Sequence, residues 1–586
     1  MIIMITSTNL VPPHPRTPVP PKYRTPVPPK YRTPVPPKYR TLVPTIIILL
    51  LTSCSDFLKE SPKGALYEDE AYNSLTKLEN NALLNIYNYI GGSADSQGLQ
   101  GTGKGVYDLN SVTTDEQIVP TRGGDWYDGG LWQRLFMHTW SAGEGPFKDT
   151  WDYLYKVVMM CNEGIERFEK YRENYATGSE RLRIDEDLAE LRTLRAMYYF
   201  YIMDLYGRVP LVTSTDVKAS ELTLSPRRDT YLFIVKELQE VVYDLYPYSG
   251  ARKGTEYYGR MTQGVAYFLL AKLMINGEVY YDNDWTDNQR TSGSEIILDV
   301  EGSQLNIWKA AEYYCDLASR FYELEAFYES NFIVNNEQSS ENIFTIPMDP
   351  LVFNNVYNYF FRSRHYSHGA VLGGASENGP CATVSTFRAF ADTGDFPRDA
   401  RLDVNFYYGP VEENGDWVYM DDGKTLLEYY PYDVTSIDLT GTPHEKTAGA
   451  RLKKYGYDNT AREDGRMGNN DIVIFRLADV MLVRAEAILR GGGSAEDAAV
   501  YLTPIRTRAK LTAIAQPTLD DVLNERLLEL MWEGWRRNDL IRFDRFHMPY
   551  DIRPQASGEA DRHTTVFPIP ADVMAMHPDW QQNPGY

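Results

Sequence analysis

Cysteine is scarce: the 586 residues hold four, Cys54, Cys161, Cys315 and Cys381, with no CxxC pair. That spacing excludes a dense disulfide framework and a cysteine-built metal site. The last three lie among apolar or small residues, which predicts free buried thiols. The eight histidines are scattered and the motifs HExxH and GxSxG are both missing, so metallohydrolase and serine-hydrolase chemistry has little support. No apolar run reaches the roughly 20 residues that a spanning helix needs. Acidic residues are absent before Cys54, where seven Lys or Arg occur; the remainder therefore carries 52 basic and 81 acidic residues, a net charge of −29. Nucleic acid and anionic membrane surfaces are poor partners for such a chain. Neutral ligands stay open.

The segment before Cys54 holds 13 of the 34 prolines and repeats RTPVPPKY three times from Arg16 to Tyr39. It cannot build helix or sheet core. A polyproline II ligand is one reading; an over-extended reading frame whose true start lies near Lys38 is the other and is favoured. IIILLLTSC (46–54) then follows the basic Lys38 and Arg40. A buried strand or helix would account for the apolar run alone, whereas a short h-region between basic and small residues reads as a secretory signal. Leu51-Thr52-Ser53-Cys54 resembles a bacterial lipobox, which implies that Cys54 is lipidated and becomes the first mature residue. Acyl chains contribute about 0.8 kcal/mol per buried methylene, so the protein is expected to be anchored to a membrane without spanning it.

Helical periodicity dominates the rest. In residues 185–207, Leu188, Leu191, Leu194 and Tyr198 recur at three- and four-residue steps, and Gly207 closes the pattern. The aromatics Tyr198 to Tyr206 are dense enough to require cover on most sides of that helix, so they read as core. Ser225-Pro226 offers an N-cap with proline at N1, and further helices read at 260–281 and 307–325. Residues from about 330 to 465 dissolve into Gly, Asn, Pro and Tyr, a loop-rich region. Helices resume at 475–490, after the capping box Ser494–Asp497, and after Thr518–Asp521. Their small residues Ala485, Ala487, Ala498 and Ala499 look like the seams of tetratricopeptide-type pairs. Glu525, Glu529 and Glu533 lie at four-residue steps near Arg526, Arg536 and Arg537, a spacing suited to ion pairs within one helix.

Seven pieces of sequence in one order resemble the SusD/RagB family of outer-membrane nutrient-binding lipoproteins: Cys54-SDFLKESPKG, 113–132, 151–167, 191–212, 476–492, 523–543 and 567–586. The resemblance implies a mainly α, SusD-like fold of eight helices in tetratricopeptide-like pairs, with irregular insertions on the other side. The SusD-like domain would run from 54 to 586, with an N-terminal part at 54–330 and a C-terminal RagB/SusD part at 331–586. It also implies a cell-surface, lipid-anchored location at the outer membrane, a SusC-like TonB-dependent transporter as partner, an oligosaccharide or polysaccharide as ligand, and no catalysis and no cofactor.

The stretch most suited to a sugar lies within 113–140. Sugars offer C–H faces that stack on aromatic rings and hydroxyls that pair with charged or amide groups. Arg122, Asp125, Trp126, Tyr127, Asp128 and Trp132 supply both within eleven residues, among glycines that let the backbone turn. Trp132 serves equally well as a core anchor under the loop, and Trp140 better as one; Trp126 is expected to be the more exposed. Tyr357, Tyr359, Arg364 and Tyr366 form a second set that would line the same groove. GLQGTGKG (98–105) has Gly105 where a phosphate-binding loop requires Ser or Thr, and reads as a flexible loop. DNDWTDN (282–288) lacks the glycine and glutamate of an EF-hand, leaving at most a loose surface calcium site. A surface glycoside hydrolase working through two carboxylates and an uptake lipoprotein for peptides are the competing readings.

Overall fold

The computed structural model describes residues 68–92, 97–100, 103–247, 255–349, 361–392, 394, 398–460, 468–554 and 559–586. Cys54, Tyr357 and Tyr359 lie outside the described residues. Residues from Tyr67 onward form one compact unit.

Among the described residues eight helices have twelve or more residues: α1 (Gly145–Asn174), α2 (Gly178–Tyr206), α3 (Arg227–Val241), α4 (Gln263–Ile275), α5 (Ile307–Ser319), α6 (Leu477–Arg490), α7 (Ala495–Arg508) and α8 (Leu519–Leu530). Each packs against the next in sequence, and α6 touches α8 as well as α7. The fold is mainly α, and none of the described helices is long and apolar enough to cross a membrane.

The sequence pattern explains the helix boundaries. Thr177 and Glu180 form a capping box that starts α2, seven residues before the apolar periodicity alone announces it, and Gly207, at φ 70°, ends it. Proline 226 itself occupies the N-cap of α3, one residue beyond the expected serine, with no side-chain cap bond. Ser494 Oγ accepts from the Asp497 amide at 3.0 Å, and Thr518 and Asp521 cap α8 reciprocally. After Leu530 the chain leaves the helix, because Trp532 (φ 66°) and Gly534 (φ 76°) turn it before a short helix at Arg536–Arg542.

Tyr198 through Tyr206 are buried, as are Ala485, Ala487, Ala498 and Ala499. Cys161, Cys315 and Cys381 are buried free thiols. Two β-strands, β1 (Asn342–Ile346) and β2 (Ile472–Arg476), pair antiparallel and bring α6 back against the helices of the first half. Between them lies the expected loop-rich region, whose described elements do not exceed eight residues.

Glu525, Glu529 and Glu533 do pair with arginines, but not with those on their own stretch. Arg401 reaches Glu525 and Glu529 at 2.7 Å each. Arg476 reaches Glu529 at 2.6 Å, Glu341 at 2.8 Å and Glu533 at 2.8 Å. Lys454 holds Glu533 at 2.6 Å, Arg506 holds Glu525 at 2.8 Å, and Arg508 bonds both Glu341 and Glu529. With Asp399 on Arg401, five cations meet five carboxylates in one buried junction. Arg526 turns instead to Asp479 and Asp539, both at 2.8 Å.

Candidate ligand-binding site

The loop after Ile118 is built from left-handed backbone. Gly123, Gly124, Gly129 and Gly130 have positive φ, and so do Trp126 (61°) and Asp128 (43°). Side chains seldom adopt that conformation, and an unfavourable backbone is retained where the surroundings over-determine it. Here they do. The strand Gln117–Ile118 pairs with Cys381–Ala382. Thr121 exchanges backbone bonds of 2.9 Å with Ile437 and Leu439. Lys446 Nζ donates to the Arg122 carbonyl at 2.5 Å.

Arg122 is wholly buried. Its guanidinium donates to the carbonyls of Gly379 (3.3 Å), Glu445 (3.1 Å) and Ala448 (2.9 Å), and to Cys381 Sγ (3.4 Å). Burial lowers its pKa to about 9, helped by neighbouring Arg451. It clamps the loop to two remote segments and offers nothing to a ligand, which corrects the role expected for it. Trp132 is 1% exposed: of its two readings the core anchor holds, with Nε1 donating to Asp128 at 2.7 Å. Trp140 is also core.

Above this clamp the remaining groups converge. Trp126 is half-buried; its Nε1 donates to the Glu377 carbonyl at 2.7 Å, and its ring covers Gly379 so closely that a Cβ there would sit 2.3 Å from it. Tyr127, 51% exposed, is therefore more open than Trp126, and Tyr366 is 42% exposed. Tyr366 OH donates to Asp125 at 3.4 Å, so one residue of the second set reaches the first. Arg364 does not join them. It is buried, with its guanidinium 5.9 Å from the Tyr407 ring and 5.5 Å from the Tyr457 ring, which corrects its expected place in the groove.

Two lysines complete the patch. Lys446 pairs with Asp125 at 2.9 Å, and Lys104, from the loop that resembled a phosphate-binding motif, pairs with Asp128 at 3.2 Å. Nothing in the local sequence marks Lys446 for this place, since Arg122 and Asp125, which it bonds, lie more than 300 residues away. The accessible carboxylates Asp125 and Asp128 thus each stand beside a lysine.

The carboxy-terminal residues 391–586 match the model of the SusD family. Starch-binding protein SusD of Bacteroides thetaiotaomicron is 24% identical, over 85% of this chain and 89% of that protein. A SusD-like protein of Bacteroides ovatus is 23% identical, over 85% and 81%. Residues 391–586 thus carry the signature of the SusD family, and over most of its length the chain is similar to SusD proteins. Solved structures agree on the SusD/RagB fold: a SusD homolog from B. thetaiotaomicron superposes with a TM-score of 0.67 at 20% identity, covering 89% of this chain and 99% of its own. Surface glycan-binding protein A from the same organism, in complex with laminarihexaose, gives 0.62 at 20% identity, over 87% and 99%. On this SusD-like fold the loops carry the open aromatic rings Tyr127 and Tyr366, while helix α2 buries Tyr198 to Tyr206.

Proposed function

We propose that the protein is a cell-surface lipoprotein, anchored through Cys54 at the outer membrane, that binds an oligosaccharide or polysaccharide and passes it to a SusC-like TonB-dependent transporter without altering it. The observation that carries this reading is the cluster of Tyr127, Tyr366 and the edge of Trp126 beside the paired Asp125 and Lys446. Open rings give a sugar flat faces, and the ion pair gives its hydroxyls an acceptor and a donor. Asp125 and Asp128 are each paired with a lysine, which favours a neutral ligand. The relatives support the ligand class, since one is a starch-binding protein and another was solved with laminarihexaose.

The competing hydrolase would need one carboxyl free to donate a proton and a second one across the bond. Asp125 and Asp128 are each held by a lysine. Calorimetry of the chain against starch, laminarin, other glycans and peptides, with chromatography of the mixtures, tests the reading. Saturable binding of a glycan, lost in Tyr366→Ala with Asp125→Ala and without product, is expected. Released product would establish the hydrolase, and binding of peptides alone would establish peptide uptake.

A further inference from the structure

A second aromatic surface lies outside this patch. Segments 409–413, 416–420 and 425–429 join into a small antiparallel unit: Glu412 pairs with Trp417, Glu428 with Pro410 and Tyr419 with Leu426. Backbone bonds of 2.8–2.9 Å link Val411, Val418 and Leu427 to one another, and these side chains make a small buried cluster with Tyr429. Side chains alternate along a strand. Because Val418 points inward, Trp417 and Tyr419 point out, at 52% and 47% exposure, with Leu426 beside Tyr419. Two outward neighbours on a strand stand about 7 Å apart, far enough to take successive sugar rings.

Exposed rings on a rigid sheet face mark a contact surface. What covers this one follows from its position and its charge. The unit is bonded to the segment that carries Tyr366: Ser367 Oγ donates to Asp421 at 2.7 Å, the His365 amide donates to Tyr429 OH at 2.9 Å, and His368 Nε2 meets Glu413 at 2.7 Å. Glu412, Asp416 and Asp422 surround the rings and are exposed, so anionic chains and anionic lipid are disfavoured. We infer that Trp417 and Tyr419 form a second binding platform for a neutral polysaccharide, which takes the length of chain extending beyond the Tyr366 patch. The inference rests on the glycan-binding reading and adds to it a preference for long chains.

The full chain is titrated with laminarin and starch, and separately with laminaritriose and maltotriose. Trp417→Ala with Tyr419→Ala should lower polymer affinity about tenfold and leave trisaccharide affinity within about twofold. Trp417→Phe with Tyr419→Phe keeps the flat faces and should retain most of the polymer affinity, and an unchanged melting temperature in both pairs separates lost contact from lost fold. Unchanged polymer affinity in the alanine pair, with binding still abolished by Tyr366→Ala, overturns the platform alone. Absence of binding by the unaltered protein to these four and to the other glycans of the calorimetric series overturns both readings. If the alanine pair binds glycans normally but no longer co-purifies with an outer-membrane barrel, the surface is a protein contact and the inference falls.

Discussion

Arg476 and Arg122 are equally buried, yet their surroundings are opposite. Arg476 lies among Glu341, Glu529 and Glu533, and these carboxylates hold its pKa well above the usual value despite burial. Arg122 meets carbonyls and a thiol, no carboxylate among the described residues pairs with it, and burial pulls its pKa down to about 9. The first sits at the junction of α6, α7 and α8, where charge holds helices together. The second sits under the candidate site, where charge fixes a left-handed loop by hydrogen bonds to the backbone of Gly379, Glu445 and Ala448. The helical half has its ions matched to one another, whereas the loop half leaves paired but accessible ions such as Lys446 and Asp125 for a ligand.

The sharpest way to break this comparison is Arg476→Met. It leaves three buried glutamates short of a partner, and removing one member of a buried ion network costs about 3–5 kcal/mol. Urea unfolding should show that loss. A cost below 1 kcal/mol would mean that Arg401, Arg508 and Lys454 neutralise the glutamates without it.

Acid should find the helical half next. Lys272 and Arg526 offset burial and hold Asp479 at about 2, and Arg542 and Arg490 do the same for Glu486. Unfolded carboxyls titrate near 3.9 and 4.3. Because the folded values are lower, the stabilisation is complete above about pH 5 and is lost as pH falls toward 2, about 2–3 kcal/mol for each group. Melting temperature should therefore drop steeply between pH 5 and 2. Asp479→Asn with Glu486→Gln, already less stable at neutral pH, should flatten that drop.

Arg122→Met should cost less than Arg476→Met, about 1–3 kcal/mol, because it orphans carbonyls and leaves no carboxylate unpaired. Its larger consequence is expected in binding, since the loop bearing Asp125 and Trp126 loses its clamp. Equal losses of stability in the two variants would erase the distinction between the halves.

Much of the helical half was legible in the sequence because its signals are local. The steps of Leu188, Leu191 and Leu194, the caps at Ser494 and Thr518, and Gly207 act within a turn or two. The partners of Glu525, Glu529 and Glu533 were not legible, since four-residue spacing points to the same helix and the actual cations come from 401, 454, 476, 506 and 508. The site was legible in part. Tyr127 and Tyr366 are open, as side chains in a loop rich in glycine and charge suggest. Arg122 and Arg364 look like ligand forks in a linear reading, but contacts with 379–381, 445–448, 407 and 457 bury them. Lys446 left no trace because only tertiary folding brings it to Asp125.

Lys446→Ala should have the smallest effect on stability. The Lys446–Asp125 pair is about one-third to one-half exposed, and such pairs contribute about 0–1 kcal/mol. The lysine also holds the Arg122 carbonyl, which solvent can satisfy once the side chain is gone. A change in unfolding free energy within about 0.5 kcal/mol is expected, together with a loss of glycan affinity of about tenfold, the worth of one charge-assisted hydrogen bond. If stability falls by 2 kcal/mol or more while affinity holds, Lys446 belongs with Arg476 as a structural ion. The accessible pair would then be one more internal tie, and ligand contact would rest on Tyr127, Tyr366 and the ring edge of Trp126.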